Sequence, residues 1–380
     1  MSTQDSLGLV GSVIDDKYEV TSVAGIGGFG VVYKAMHLLF RRTVALKVFS
    51  SLADFDAVEQ KRLVEGFLQE AKVLADLSEK TPSICQARDV GVIVRGERQV
   101  PYMVLEWLEG ENLEVVLDRE KAAGAPPRTL EEAVRLLEPV AEGLALAHRL
   151  HIAHRDIKPS NIFVIGDARG EPTVKLLDFG IAKVVSDAQK EHGFTRTTGT
   201  VTSFTPVYGA PEQFARSYGS TGPWTDVFAL ALVVVETILG REALAGETFA
   251  DVGRTSTDES KRPSPSTLGL TVDPAVEQVF LKALAVKPAD RYSDAGELWN
   301  ALRESMGLEP ARSVAPSSAL GARFGRLPES RATPTPTPNA SAGAASIPSS
   351  AGVLSQQANP PEPAAKQMPH VPVALSALAA

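Results

Sequence analysis

The stretch HRDIKPSN, residues 154–161, sets a carboxylate, an ammonium group and an amide within six positions. An apolar pattern with a helical period ends just before it, at about residue 150, which places the stretch in a loop. Asp156 could orient a hydroxyl group, Lys158 could neutralise negative charge, and Asn161 could bind a hard cation. Phosphoryl transfer needs these three functions together, and a chance polar loop would not usually place His-Arg-Asp ahead of them.

A second acidic motif, DFG at residues 178–180, follows a strand-like apolar run at residues 174–177. An aspartate at the end of a strand, with a flexible glycine two positions later, suits a metal ligand on a movable segment. As an isolated tripeptide the motif is common, so it gains weight only from its position after HRDIKPSN.

A glycine-rich stretch, GIGGFGVV at residues 25–32, lies near the start of the chain. Glycines let the backbone approach phosphate oxygens closely and direct N–H groups at them. A dinucleotide-binding dehydrogenase uses the same spacing, but there the glycines open a helix. Here they lead into Val31-Val32-Tyr33, and the next apolar run is again a strand. The pattern therefore favours a glycine-rich hairpin over a dehydrogenase.

A lysine ends the apolar strand pattern VALK at residues 44–47. Lys47 could extend its charge to the surface from the end of the strand. Alternatively, it could be held for phosphates and paired with a carboxylate. Glu70, in the helical pattern at residues 67–71, is the favoured partner and Glu65 is the second choice. From these residues alone the two interpretations remain open.

The chain begins with predicted strands and continues with predicted helices. Alternating or apolar runs predict strands at residues 18–24, 31–35, 43–49 and 102–107. Helical periods appear at residues 58–77, 130–150, 225–239, 274–284 and 295–306. Beyond Gly307 the sequence is rich in Ala, Pro, Ser and Thr. Such a segment has too little apolar bulk to offset its ordering entropy, so we expect a disordered tail that is a linker or a docking site.

Composition excludes several classes of function. The formal net charge is −8 over 380 residues, which is not suited to coating nucleic acid. Cys85 is the only cysteine, so neither an internal disulfide nor a cysteine zinc site is expected. Residues 1–16 lack a signal-peptide pattern, and no run reaches the ~20 apolar residues of a membrane span. We therefore expect a cytoplasmic protein.

In order, spacing and context these motifs resemble the protein kinase superfamily, and most of all the bacterial eukaryotic-like Ser/Thr kinases. The resemblance runs from about residue 18 to about residue 302. APE at residues 210–212 resembles the end of the activation segment, and Arg291 resembles the arginine that pairs with its glutamate. The resemblance implies an α+β, bilobal fold, with a small antiparallel β-sheet N-lobe carrying one main helix and a larger, mostly helical C-lobe.

The domain boundaries follow from this match. Residues 1–17 are expected to be an N-terminal extension and residues 18–302 the kinase domain. Within it, the N-lobe covers about 18–106 and the C-lobe about 109–302. Residues 307–380 form the expected Pro/Ala/Ser-rich disordered tail.

The resemblance implies transfer of the ATP γ-phosphate to protein serine and threonine hydroxyls, with Mg²⁺, or Mn²⁺ as a substitute. Asp156, Lys158, Lys47 and Glu70 take the catalytic roles, and Asn161 and Asp178 hold the metal. Leu105 occupies the gatekeeper position, and Thr205 supports the Ser/Thr arrangement on the substrate side. The positions implied to contact the nucleotide are Gly25, Ile26, Gly27, Gly30, Val32, Ala45, Lys47, Leu105, Glu106 and Leu108.

Regulation is also implied. Arg155 and Lys183 are expected to receive a phosphate from the activation segment, which would order that segment. Autophosphorylation is expected to activate the protein, through a transient homodimer. The candidate phosphosites are Thr195, Thr197, Thr198, Thr200 and Thr202.

Two buried contacts are expected to be structural, namely Asp226 with the catalytic-loop backbone and Glu212 with Arg291. Phe204 departs from the family pattern, which has a small residue before the threonine, and it puts the substrate-side geometry in question. The Lys47-to-Glu70 interval is also long. A catalytically weak kinase-fold scaffold is the alternative, but Lys47, Asp156, Asn161 and Asp178 are all present, which favours an enzyme.

Overall fold

The computed structural model describes residues 5–27, 30–50, 57–96, 98–179 and 204–309. Its first part is a six-stranded antiparallel sheet in the order β1-β2-β3-β4-β6-β5. The strands are β1 (Val13–Ile14), β2 (Tyr18–Gly27), β3 (Gly30–His37), β4 (Arg42–Val48), β5 (Ala87–Arg95) and β6 (Arg98–Glu106).

The described part of the N-terminal extension packs onto this sheet. Leu9 and Ile14 are buried in the same apolar cluster as Tyr33 and the other inward side chains of the sheet. The Tyr33 hydroxyl donates to Asp5 Oδ1 at 2.7 Å. Residues 5–17 therefore contribute to the core of the N-lobe.

One long helix, α1 (Ala57–Ser78), covers the other face of the sheet. Phe67 on this helix is fully buried and meets the Phe49 ring edge-on, with 4.7 Å between the ring centroids. This packing joins α1 to the end of β4, the strand that carries Lys47.

The second part is mostly helical. Its helices are α2 (Leu113–Ala122), α3 (Leu130–Arg149), α4 (Pro211–Phe214), α5 (Pro223–Leu239), α6 (Phe249–Thr257), α7 (Pro274–Ala283) and α8 (Ala295–Ser305). A small antiparallel sheet of β7 (Glu111–Asn112), β8 (Ile162–Ile165) and β9 (Thr173–Leu176) borders them.

Local sequence signals set the ends of these helices. Thr129 and Glu132 form a reciprocal capping box at the start of α3, which satisfies two otherwise unpaired N–H groups. Helix α5 is apolar along nearly its whole length and is buried on all sides, as expected for a central helix. Gly240 ends it in the left-handed conformation, with φ 74°.

The predicted fold class is confirmed, with a strand-rich N-lobe and a helical C-lobe. The chain divides into two units, Met1–Ser313 and Val314–Ala380. The second unit lies outside the described residues, so the predicted disordered tail stays a prediction. Among the helices of the described residues, none is both long and apolar enough to cross a bilayer.

Candidate active site

The glycine-rich stretch forms a hairpin at the edge of the sheet. Strands β2 and β3 pair in antiparallel register as far as Gly27 opposite Gly30. Residues 28 and 29, at the tip of the turn, lie outside the described residues. A Cβ atom on Gly30 would lie 1.9 Å from the carbonyl oxygen of Val48, so only glycine fits there. At Gly25 and Gly27 a Cβ atom would meet nothing within 4 Å.

Four predicted nucleotide-contacting residues share one face of the sheet. Val32 lies opposite Lys47, and Ala45 lies opposite Leu105 in the paired strands. Directly opposed residues point to the same side of a sheet, as do residues two apart on one strand. The four side chains are all half-buried. Three apolar side chains and the Lys47 ammonium group therefore form one surface beside the glycine hairpin.

The segment after the gatekeeper position continues from this face. The Glu106 N–H donates to Gln86 O at 2.9 Å, so the carbonyl of Glu106 is its candidate backbone group for a nucleotide. Leu108 follows β6 in the connection to β7 and is half-buried. Ile26, another predicted contact, is 55% exposed on the hairpin.

Lys47 joins the two lobes through Asp178. Lys47 Nζ lies 2.6 Å from Asp178 Oδ1. Partial burial acts to raise the pKa of Asp178, but the charge and hydrogen bond of Lys47 outweigh it, so the pKa lies below its ordinary value. Asp178 is therefore an ionised oxygen donor at neutral pH. Glu70 is exposed on α1, and its pairing with Lys47 stays a prediction.

The HRDIKPSN loop gathers its polar groups around Asp156. Lys158 Nζ lies 2.9 Å from Asp156 Oδ2 and donates to Thr205 Oγ1 at 2.7 Å. The Thr205 N–H donates to Asp156 Oδ1 at 3.2 Å. Asn161 Nδ2 donates to the Asp156 carbonyl and carboxylate at 2.7 and 3.1 Å. The structure thus brings Thr205 and the three predicted loop residues into one hydrogen-bonded group.

The aspartate of DFG is tied to this loop. Leu177 N–H donates to the Asn161 carbonyl at 2.8 Å, and a ring nitrogen of His154 lies 2.7 Å from the Leu177 carbonyl. Phe179 packs on His154, with 4.8 Å between ring centroids. These contacts fix Asp178 beside the polar group around Asp156.

The oxygen donors suit a hard divalent cation. Asn161 donates hydrogen bonds to Asp156 through Nδ2, so its amide oxygen Oδ1 can serve as a metal ligand. Asp178 supplies a carboxylate. No cluster of three or more His, Cys, Asp or Glu side chains is found in the described ranges. Mg²⁺ is usually held by only one or two protein groups together with substrate phosphates, so this small donor set fits it.

Asp226, at the start of α5, holds the backbone of the loop. It is fully buried and accepts from the N–H groups of His154 and Arg155 at 2.6 and 2.5 Å. A ring nitrogen of His148 lies 2.9 Å from it. Burial acts to raise the pKa of Asp226, but the hydrogen bond to His148 and the charges and N–H groups around it lower it overall. The predicted structural role of Asp226 is confirmed.

A buried ion pair joins two segments of the C-lobe that lie far apart in sequence. Arg291 Nη1 and Nη2 each lie 2.9 Å from the Glu212 carboxylate, and both side chains are 0% exposed. Thr225 Oγ1 also donates to Glu212 at 2.7 Å. The predicted Glu212–Arg291 pair is confirmed.

Phe204, which stands where the family pattern has a small residue, packs against other aromatic side chains. Its ring lies 5.2 Å from Phe214 and 6.1 Å from Phe249, measured between centroids. A Cβ atom on Gly209 would lie 2.5 Å from Phe204 Cε2, so that glycine makes room for the ring. The large residue before Thr205 is therefore accommodated by an aromatic cluster, and Thr205 still reaches Asp156.

The regulatory prediction is only partly within the described residues. Arg155 has φ 67°, and its Nε is buried without a hydrogen bond in the part of the chain that is described. Lys183 and the five candidate phosphothreonines lie outside the described residues.

Two residues that contact the catalytic loop or its partner Asp226, namely His148 and Gln213, were not predicted from the sequence. The Gln213 side-chain amide donates to the Arg155 carbonyl at 3.0 Å. The sequence around these two residues does not indicate their roles, because each acts through a contact with a residue distant in sequence.

The fold and the site together have the arrangement typical of the protein kinase class: a glycine hairpin and a cation on one lobe face a carboxylate, an amide and a second carboxylate on the other. Comparison with known families agrees, since residues 18–302 match the model described as the protein kinase domain. The chain belongs to the protein kinase domain family. Its relatives group it with the bacterial eukaryotic-like Ser/Thr kinases.

Curated relatives include the probable serine/threonine-protein kinase PknB of Corynebacterium glutamicum, which is 34% identical over 75% of this chain and 42% of its own length. Serine/threonine-protein kinase PknL of Mycobacterium tuberculosis is 30% identical over 86% of this chain and 75% of its own length. The chain spans about two-fifths of the length of the first of these relatives. A crystal structure of the M. tuberculosis PknI kinase domain, 23% identical, superposes with a TM-score of 0.56 over 79% of this chain and 100% of that one, which shows the shared fold.

Proposed function

We propose that this chain transfers the γ-phosphate of ATP to serine and threonine hydroxyls of proteins. The observation that carries the proposal is the hydrogen-bonded group of Asp156, Lys158, Asn161 and Thr205. A scaffold without catalysis would not need a carboxylate, a cation and an amide oriented together in this way.

Each residue has a role in an in-line displacement. The substrate hydroxyl oxygen forms a bond to the γ-phosphorus while the bond to the β,γ-bridging oxygen breaks and ADP leaves. Asp156 orients the hydroxyl and takes its proton. Lys158, which already reaches both Asp156 and Thr205, neutralises charge on the moving phosphoryl group.

Nucleotide binding uses the N-lobe. The face formed by Val32, Ala45 and Leu105 would receive the adenine, with backbone groups of Glu106 and Leu108 at its edge. The glycine hairpin would cover the phosphates. Lys47 would hold the α- and β-phosphates, and its pairing with Glu70 would release Asp178 for the metal. Asn161 and Asp178 would hold Mg²⁺, or Mn²⁺, whose charge offsets that of the phosphate oxygens.

The test measures transfer of labelled γ-phosphate to a generic acceptor protein with Mg²⁺, with Mn²⁺ and with a chelator. We expect transfer only with metal, and a loss of about 10²-fold or more in Asp178→Asn. Asp167→Asn, in an exposed turn, is the matched control and should keep the wild-type rate. Metal-independent transfer, or an Asp178→Asn rate equal to that of the control, would reject these assignments.

We also propose activation by autophosphorylation between two transiently associated copies. The buried Arg155 Nε, which makes no hydrogen bond in the described part, supports an arginine that awaits an anion. Replacing Thr195, Thr197, Thr198, Thr200 and Thr202 together by alanine should lower the rate of acceptor phosphorylation. An unchanged rate, with phosphate mapped elsewhere by mass spectrometry, would reject this regulation. The predicted cytoplasmic location stays a prediction.

A further inference from the structure

Residues 106–110, which we call the hinge, connect β6 to β7 and thereby the N-lobe to the C-lobe. The proposed adenine contacts, which are backbone groups of Glu106 and Leu108, both lie on the hinge. The arrangement of the hinge therefore decides where these groups stand when a nucleotide arrives.

The first hinge side chain, Glu106, is held by a lysine of the C-lobe. Lys175 Nζ lies 2.5 Å from Glu106 Oε1, and the two side chains are only 14% and 16% exposed. The same oxygen accepts the Gln86 N–H at 2.8 Å. An ion pair that is largely withheld from water is stronger than an exposed one, and loss of one partner leaves the other charge unpaired. Lys175 therefore restrains Glu106 from the C-lobe.

Lys175 comes from a strand that is itself fixed near the start of β5. Its neighbour on β9, Leu176, donates its N–H to Ser83 O at 2.7 Å and accepts the Cys85 N–H at 2.9 Å. The chain continues from β9 to Asp178, three residues after Lys175. The ion pair thus connects the hinge with the strand that precedes a proposed metal ligand.

The second hinge side chain, Trp107, is covered by a lysine of the N-lobe. Lys34 lies opposite Ala45 in the paired strands β3 and β4, so it shares the face of the sheet that carries Val32 and Leu105. Its Nζ lies 4.6 Å from the centroid of the Trp107 ring, and both residues are half-buried. An ammonium group over an indole ring is attracted by the ring electrons. Lys34 therefore restrains Trp107 from the N-lobe.

We infer that Lys175 and Lys34 are positioning residues for the nucleotide. Two consecutive hinge residues are held from opposite lobes, which keeps the backbone groups of Glu106 and Leu108 in one arrangement before ATP binds. Such preorganisation raises affinity, because binding does not have to order the hinge. The inference rests on the proposed function and adds two residues to its nucleotide site.

The first test compares steady-state kinetics of Lys175→Met and Lys34→Met with those of the full-length wild type. Loss of either restraint lets the hinge adopt other arrangements, and the apparent affinity falls with the fraction that stays competent to bind. We expect KM for ATP to rise about three- to tenfold, with kcat at saturating ATP within about twofold of wild type. Lys175→Arg and Lys34→Arg keep the ion pair and the ring contact, so KM should return toward the wild-type value.

Two control variants remove contacts of the same kinds elsewhere in the C-lobe. Arg303→Met breaks the half-buried pair with Glu138, whose atoms lie 2.6 Å apart. Lys282→Met removes an ammonium group that lies 4.2 Å from the centroid of the Tyr292 ring. Both controls should keep the wild-type KM while their melting temperatures fall. An equal rise of KM in the controls and the test variants would indicate general destabilisation and would overturn the inference.

A binding measurement separates this inference from the proposed function. Isothermal titration calorimetry with adenosine reports the hinge contact without any phosphate transfer. We expect Lys175→Met and Lys34→Met to bind adenosine about three- to tenfold more weakly than the wild type and the two controls to bind it as the wild type does. Lys34→Met leaves no carboxylate unpaired, so it tests the inference even where Lys175→Met does not fold.

The outcomes are distinct. Weaker adenosine binding in the test variants, together with no phosphate transfer by the wild type, would reject the proposed function alone. Unchanged adenosine affinity in Lys175→Met or Lys34→Met, or a loss of kcat without a change in KM, would overturn the inference.

Discussion

At the scale of single residues, the sequence predicted which side chains form the candidate active site, but it did not predict every contact between them. Asp156, Lys158 and Asn161 stand within six positions, so their convergence follows from one short loop. The ion pair between Lys47 and Asp178 joins two lobes. No spacing in the sequence predicts it, because it depends on how the lobes meet.

Glu236 shows the same limit. It ends an apolar run that predicts a buried helix, and Asp226 begins that run. Both acids are buried, but Asp226 accepts from two backbone N–H groups, whereas Glu236 has the Tyr208 hydroxyl as a partner and its Oε2 makes no hydrogen bond in the described part. The sequence pattern alone does not distinguish a fully satisfied buried acid from a partly satisfied one.

The raised pKa of Glu236 predicts a pH dependence of stability. The folded protein holds this proton up to a pH of about 7, whereas the unfolded chain releases it near the ordinary glutamate pKa of 4.5. The free energy of unfolding should therefore fall as pH rises between these values, by up to about 3 kcal/mol. Glu236→Gln removes the effect, so its melting temperature relative to wild type should rise from pH 5 to pH 8. A constant difference across that range would contradict the raised pKa, and Glu247→Gln is the control.

At the scale of elements, the long periodic segments were predicted well, and the short or interrupted ones were mostly missed, with β9 as an exception. Strands β2, β3, β4 and β6 and helices α1, α3, α5, α7 and α8 lie where the patterns place them. Strand β5 was missed, and Gly91 at its centre is part of the reason. A Cβ atom there would lie 2.5 Å from the Tyr102 hydroxyl oxygen, so packing of the neighbouring strand requires the glycine that weakens the strand signal.

Helix α6 was missed for a related reason. It is short, polar and interrupted by Gly253, where a Cβ atom would lie 2.9 Å from Phe214. The glycine lowers helix propensity locally but permits close packing against the aromatic cluster. Tertiary contact therefore decides the element, and local sequence does not report it.

The glycine hairpin gives a prediction at this scale. Gly30→Ala would force a Cβ atom against the Val48 carbonyl, at a φ of 155° that also disfavours alanine. We expect a loss of about 1–3 kcal/mol in stability and a clearly lower melting temperature. Gly25→Ala is the matched control, since a Cβ atom there meets nothing within 4 Å. Equal melting temperatures for the two variants would show that β3 does not approach β4 as described.

At the scale of the whole molecule, polar contacts between distant segments hold the C-lobe around the site. Asp226 links α5 to the catalytic loop, and His148, which contacts it, also accepts the Ala295 N–H at 3.1 Å from the start of α8. Glu212 and Arg291 join α4 to the segment between α7 and α8. The contact of Asp226 with the catalytic loop and the Glu212–Arg291 pair were predicted only because the motifs resemble a known family. Spacing alone could not pair residues so far apart.

Glu212→Gln tests the second of these contacts. The change leaves the Arg291 charge buried without a counter-ion, and we expect it to cost about 3–5 kcal/mol in the free energy of unfolding by urea. Glu131→Gln breaks the exposed pair with Arg135, whose side chains are 64% and 65% exposed, and should cost less than about 0.5 kcal/mol. Similar losses in both variants would mean that burial does not govern the strength of the Glu212–Arg291 pair.

The measurement that tests the central claim most directly is the rate of γ-phosphate transfer to a generic acceptor protein by the wild type and by Asp156→Asn, at equal nucleotide occupancy. The variant keeps a side chain of nearly the same shape but loses the group that takes the proton. We expect the wild type to place phosphate on serine and threonine and the variant to be slower by about 10²–10⁴-fold. Equal rates, or ATP binding without transfer in the wild type, would contradict the account and favour a kinase-fold scaffold.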